Sequence, residues 1–101
     1  MARNNAHDVP GTVVLFGGRS EIGIALARRL VGGRTVVLAA RRSADLHDET
    51  AAMRAAGAVD VVTLEFDADA TDTHPALIET ITAEHGPVAI AIVAFGILGD
   101  Q

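Results

Sequence analysis

Residues 12–23, Thr-Val-Val-Leu-Phe-Gly-Gly-Arg-Ser-Glu-Ile-Gly, constrain this chain more than any other stretch. Val13, Val14, Leu15 and Phe16 form an apolar run of strand length, and it breaks at Gly17-Gly18. Ser20 is a good helix N-cap, and Ile22, Leu26 and Leu30 follow at helical spacing. A buried strand, a glycine turn and a helix start are the parts of an anion-binding device. The first N–H groups of a helix lack intrahelical acceptors, and the helix dipole favours negative charge there. The turn is not a P-loop, because no Gly-Lys-Ser/Thr follows it.

The same pattern repeats down the chain. A first helix is expected over Glu21–Val31, stopped by Gly32-Gly33, and a second strand over Arg34–Ala40. Ser43 offers an N-cap for a second helix over Ala44–Ala56, with Asp45, Asp48 and Glu49 in its first turns and Gly57 past its end. A third strand is expected over Val59–Phe66, and a polar loop over Asp67–Thr73. A third helix starts near Pro75, with Leu77, Ile78 and Ile81 facing the core, and ends at His85-Gly86. Val88–Ala94 reads as a fourth strand. Strands alternating with helices through short connections imply an α/β fold: a Rossmann-type, doubly wound parallel sheet, cut after the fourth strand. Right-handed crossovers give the order 3-2-1-4, which places the glycine turn at the switch point beside strand one. Residues 1–10 read as a flexible tail and 11–101 as the domain.

Composition excludes several functions. Net charge is −5, so a nucleic-acid partner is not expected. Cysteine is absent, which removes disulfides and thiolate metal sites. His7, His47, His74 and His85 show no metal-ligand spacing, and no metal site is expected. No apolar run reaches the roughly 18 residues of a membrane span, and the polar N-terminus lacks a signal-peptide core. A cytoplasmic location is expected. All eight basic residues are arginine, and there is no tyrosine. A mechanism needing a tyrosine acid and a lysine partner cannot run on these residues, so no catalytic residue is assigned.

Two strand ends bear on a ligand. The second strand ends in Ala39-Ala40-Arg41-Arg42. In dinucleotide sites an acid there takes the ribose 2′-hydroxyl, whereas a basic residue takes a 2′-phosphate. Arginine suits phosphate because its planar fork donates paired hydrogen bonds. Arg41 and Arg42, with Arg19 in the glycine turn, therefore favour NADP(H) over NAD(H); the alternative is a solvated pair of arginines. Asp67 at the end of strand three either accepts from an adenine amino group or caps its own acidic loop.

Together these motifs resemble the short-chain dehydrogenase/reductase family, over essentially the whole of Thr12–Asp100. The family's Thr-Gly-x-x-x-Gly-x-Gly motif aligns with Phe16-Gly17-Gly18-Arg19-Ser20-Glu21-Ile22-Gly23. Glu21 stands where the family has its middle glycine. Asp67-Ala68 falls at the family's adenine-contacting Asp, and Ala94-Phe95-Gly96 at its Asn-Ala-Gly, with Ala94 replacing the Asn. The resemblance implies that Gly17 to Gly23, Arg41, Arg42, Asp67, Ala68, Ala94, Phe95 and Gly96 contact a nicotinamide dinucleotide.

The Gly-Gly-x-Ser-Glu-Ile-Gly turn, Phe66-Asp67-Ala68 before His74-Pro75, and Val93–Asp100 are similar to a branch that reduces a keto group on a polyprenylphosphoryl sugar. A lipid-linked substrate of that kind would bring a cytoplasmic protein to the membrane. The family's catalytic Ser, Tyr and Lys lie after the fourth strand, so the resemblance also implies an amino-terminal fragment, inactive alone, with a carboxyl-terminal half as its missing partner. Its apolar fourth strand would then form an open edge, with self-association expected. The other functional class consistent with the sequence is a non-catalytic NADP(H)-binding remnant or regulatory module.

Overall fold

The computed structural model describes residues 11–17, 20–67 and 69–94. The expected tail therefore lies outside the described residues, as do Gly18, Arg19, Ala68, Phe95 and Gly96.

Four strands form one parallel sheet: β1 (Thr12–Phe16), β2 (Thr35–Ala40), β3 (Asp60–Glu65) and β4 (Val88–Val93). Their order is β3-β2-β1-β4, the one expected from right-handed crossovers. Among the described residues, three α-helices connect them: α1 (Glu21–Ala27), α2 (His47–Ala55) and α3 (His74–His85). In register, Leu15 lies beside Leu38 on one side and Ile92 on the other, and Ala40 pairs with Glu65.

Alternation along each strand builds two cores. On one face Val13, Leu15, Val36, Leu38 and Ala40 pack with Ala27 of α1, with Val31 beyond it, and with Leu46 and Met53 of the α2 region. On the other, Val14 and Val37 pack with Ile81 of α3, flanked by Phe16, Val62, Leu64 and Leu77. The sheet is therefore wound on both faces, α1 and α2 on one and α3 on the other. The aliphatic composition suits this arrangement, since central parallel strands are covered on both sides. At the amino ends of the strands, two buried polar residues are satisfied locally. Thr12 Oγ1 donates to the His85 carbonyl at 2.9 Å, and Arg34 Nη1 donates to the Gly11 carbonyl at 3.0 Å.

Three local details differ from what the sequence alone suggests. Of the residues at helical spacing, Ile22 and Leu26 are 52% and 47% exposed and Leu30 is partly buried against the core, while Gly23 and Ala27 are buried. The helix turns its smallest residues to the sheet and so comes closer to it. It also ends at Ala27, because Arg29 and Leu30 donate to Leu26 and Ala27 in i→i−3 bonds that tighten its last turn. Second, Ser43 does not cap a helix starting at Ala44. A short 3-10 turn (Ser43–Asp45) intervenes, and α2 begins only at His47 after Leu46, which gives it no side-chain cap. Third, Ile78 of α3 is 41% exposed, whereas Ile81 on the same helix is fully buried.

The exposure of Leu26 is directly testable. Leu26→Gln is expected to move the urea midpoint by no more than ~0.5 kcal/mol equivalent, as for a surface change. A loss of about 2–5 kcal/mol, the range for truncating a buried leucine, would contradict this placement.

Candidate functional site

The carboxyl ends of the four strands gather the sequence motifs at one edge of the sheet, where ligands bind in open α/β folds. Gly17 is the first residue past β1. Its φ is +96°, a backbone conformation that side chains rarely adopt. Its N–H donates to the Ala39 carbonyl at 2.8 Å, and its carbonyl accepts from the Ser20 N–H at 2.9 Å, closing the turn. The turn is thus anchored to the end of β2 on one side and to the start of α1 on the other.

Ser20 is the expected N-cap: Oγ accepts from the Gly23 N–H at 3.1 Å, and its carbonyl accepts from Ile24 at 2.8 Å. Glu21 and Ile22 follow in the first helical turn, where the geometry supplies no intrahelical acceptor for their N–H groups. Gly23 permits the close approach of helix and sheet. A Cβ there would lie 2.9 Å from both the Ala94 Cβ and the Leu15 Cδ1. Ala94 is buried at the end of β4, and its N–H donates to the Phe16 carbonyl at 2.9 Å. The residue that departs from the family's asparagine therefore serves here as the surface against which Gly23 packs. Glu21, the other departure, is exposed. It lines the groove between α1 and α2 together with Ile24, Arg28, Asp48, Glu49 and Ala52.

Arg41 and Arg42 follow β2 directly and are exposed. Arg42 takes the left-handed conformation, φ 50° and ψ 54°. Its N–H donates to Glu65 Oε2 at 2.9 Å, and the Ser43 N–H donates to Glu65 Oε1 at 3.0 Å. Sequence reasoning missed Glu65 altogether. The only signal was an acid at the end of the strand that neighbours β2.

Asp67 caps its own loop, since Oδ1 accepts from the Asp69 N–H at 2.9 Å. The second carboxylate oxygen adds acceptor capacity beyond that turn. His74 also ties this loop, its Nε2 standing 3.1 Å from the Asp67 carbonyl. Beneath it lies an aromatic file that the sequence reading did not assemble. Phe16 and Phe66 ring centroids are 5.1 Å apart, and Phe66 and His74 are 5.0 Å apart. Among the described residues no group of His, Asp or Glu is placed to hold a metal ion.

A parallel α/β sheet with a glycine turn at its switch point defines a Rossmann-type domain. Residues 11–101 match the KR domain family, and the chain belongs to that family, part of the wider short-chain dehydrogenase/reductase group. The family comprises oxidoreductases that bind nicotinamide dinucleotide cofactors.

Among curated proteins, two Mycobacterium tuberculosis sequences named as uncharacterized oxidoreductases are each 60% identical over 89 residues, covering 88% of this chain and 36% of theirs. A Streptomyces coelicolor protein, named as an uncharacterized oxidoreductase in the mprA 5′ region, is 40% identical over 99 residues, 96% of this chain and 39% of its own. The chain thus spans little more than a third of the length of these relatives. No solved structure matches it.

Proposed function

We propose that this chain is the cofactor-binding part of an NADP(H)-preferring short-chain reductase. The observation that carries this reading is the joined geometry of the turn and the strand end. Gly17 is hydrogen-bonded to Ala39, which stands two residues before Arg41-Arg42 with no acid between them. In this reading the pyrophosphate lies over the Gly17–Gly23 turn, against the N–H groups of the first turn of α1. The 2′-phosphate lies against Arg41 and Arg42, and the sequence adds Arg19 as a further candidate donor. Asp67 and Ala68 lie toward the adenine, and Ala94, Phe95 and Gly96 toward the nicotinamide. The donor set suits such a ligand, since backbone N–H groups and guanidinium forks are donors that match phosphate oxygens. The bound cofactor supplies the hydride. This chain's residues bind and orient it, and the tyrosine acid and lysine of the family's mechanism are absent from them.

For the substrate, we propose the 2′-keto group of a polyprenylphosphoryl ribose, a precursor of cell-wall arabinan. The resemblance of Gly17–Gly23, Phe66–Ala68 with His74-Pro75, and Val93–Asp100 to decaprenylphosphoryl-2-keto-ribose reductase supports this reading. A non-catalytic NADP(H)-binding remnant or regulatory module is the second reading.

Fluorescence titration tests the cofactor assignment. NADPH is expected to bind at least about tenfold more tightly than NADH, the equivalent of ~1.4 kcal/mol. Arg41→Ala and Arg42→Ala should each reduce that preference. Tighter binding of NADH would overturn the assignment. For the substrate, the full-length protein should oxidise NADPH in the presence of decaprenylphosphoryl-2-keto-ribose. No turnover with that ketose would remove the substrate assignment.

A further inference from the structure

We infer that Glu65 is a specificity-determining positioning residue, whose carboxylate fixes the arginine-bearing end of β2 in the conformation that discriminates a 2′-phosphorylated dinucleotide. The inference rests on the proposed 2′-phosphate role of Arg41 and Arg42.

Glu65 pairs in register with Ala40, and the Phe66 N–H donates to the Ala40 carbonyl at 3.0 Å, so the ends of β3 and β2 are locked together. From this fixed point both carboxylate oxygens reach the turn after β2, one to the Arg42 N–H at 2.9 Å and the other to the Ser43 N–H at 3.0 Å. Arg42 has a positive φ, the only such non-glycine residue among those described. A left-handed residue is disfavoured by sterics when it carries a Cβ. Two charge-assisted hydrogen bonds to this residue and the next offset that cost.

Successive N–H groups around a left-handed residue also form a concave anion-binding nest. Here the anion in the nest is the protein's own carboxylate. Two consequences follow. The Cα–Cβ directions of Arg41 and Arg42 are set by Glu65 rather than by their own sequence preference. A phosphate arriving at this strand end also finds the backbone donors taken, so recognition falls to the guanidinium groups.

The test measures NADPH and NADH dissociation constants for the unsubstituted protein, Glu65→Ala and Glu65→Gln, with amide hydrogen exchange at Arg42 and Ser43. Glu65→Ala should weaken NADPH about tenfold, as expected for loss of hydrogen bonds to a charged group, and leave NADH within ~twofold. Glu65→Gln keeps the shape and one acceptor oxygen, and should fall between; it also serves if the alanine variant does not fold. Exchange at both amides should accelerate in each variant.

Tighter NADPH binding in Glu65→Gln would show the carboxylate acting only as a repulsive charge and would overturn the inference. Equal weakening of both cofactors, or unchanged affinities, would overturn it too. If the unsubstituted protein does not prefer NADPH, the cofactor assignment itself fails, and that is seen before any substitution is made.

Discussion

Gly23→Val is expected to destabilise the fold by about 3 kcal/mol, the upper part of the range for forcing extra carbons into a packed site. For a domain of this size total stability is on the order of 5–15 kcal/mol, so the loss is a large fraction of it. The cause is local. A Cβ on residue 23 would lie 2.9 Å from the Ala94 Cβ and from the Leu15 Cδ1. The leucine methyl can rotate away, but the alanine Cβ is fixed by a backbone whose N–H is bonded to Phe16. Helix propensity works in the opposite direction: replacing a helical glycine recovers up to about 1 kcal/mol.

Gly23→Ala should therefore be milder than Gly23→Val, by roughly the two carbons it omits. Ala94→Gly supplies the decisive control. Because the clash is with that one methyl group, Gly23→Ala should cost at least ~0.5 kcal/mol less in the Ala94→Gly background than alone, a coupling typical of residues in contact. Urea unfolding with an unchanged m-value measures the parent and its four variants. An unshifted midpoint for Gly23→Val would mean that α1 does not lie this close to the sheet.

That close approach also explains which parts of the fold could be read from the sequence. The strands were legible because each central one is a run of aliphatic or β-branched residues covered on both faces. Val13 to Phe16 and Thr35 to Ala40 need no amphipathic alternation to be recognised. Strand order followed from chain order and crossover handedness.

The buried face of α1 was not legible. Ile22, Leu26, Leu30 and Gly23, Ala27, Val31 are both spaced four apart, and periodicity cannot rank two neighbouring stripes. Close packing against β1 and β4 selected the smaller one. The start of α2 was misread for a related reason. Local capping chemistry favours Ser43, but Arg42 before it is left-handed and bonded through its N–H to Glu65, 23 residues away in sequence, and the chain continues as a 3-10 turn over Ser43–Asp45. At the candidate site the residues with a local backbone role were legible: Gly17 by its turn and Ser20 by its cap. Glu65 and the Phe16, Phe66, His74 file act through space and leave no spacing pattern.

Gly17→Val is expected to weaken dinucleotide binding about a hundredfold, the equivalent of ~2.7 kcal/mol. Two effects combine. Valine at φ +96° is strained, and a non-glycine residue forced into such a region costs of order 1–3 kcal/mol. The backbone can escape only by rotating, and rotation breaks the Gly17 N–H bond to Ala39 or the Ser20 N–H bond to Gly17. Those bonds hold the start of α1 against the end of β2, so their loss separates the proposed pyrophosphate and 2′-phosphate positions from each other.

Affinity for both cofactors should therefore fall, with NADPH falling further because it depends on both positions. Gly17→Ala shares the unfavourable φ with less bulk, and should lie between the parent and the valine variant. Far-ultraviolet circular dichroism, recorded on the same samples, separates lost binding from lost folding. A folded Gly17→Val protein that binds NADPH as tightly as the parent would require the phosphates to sit somewhere other than this turn.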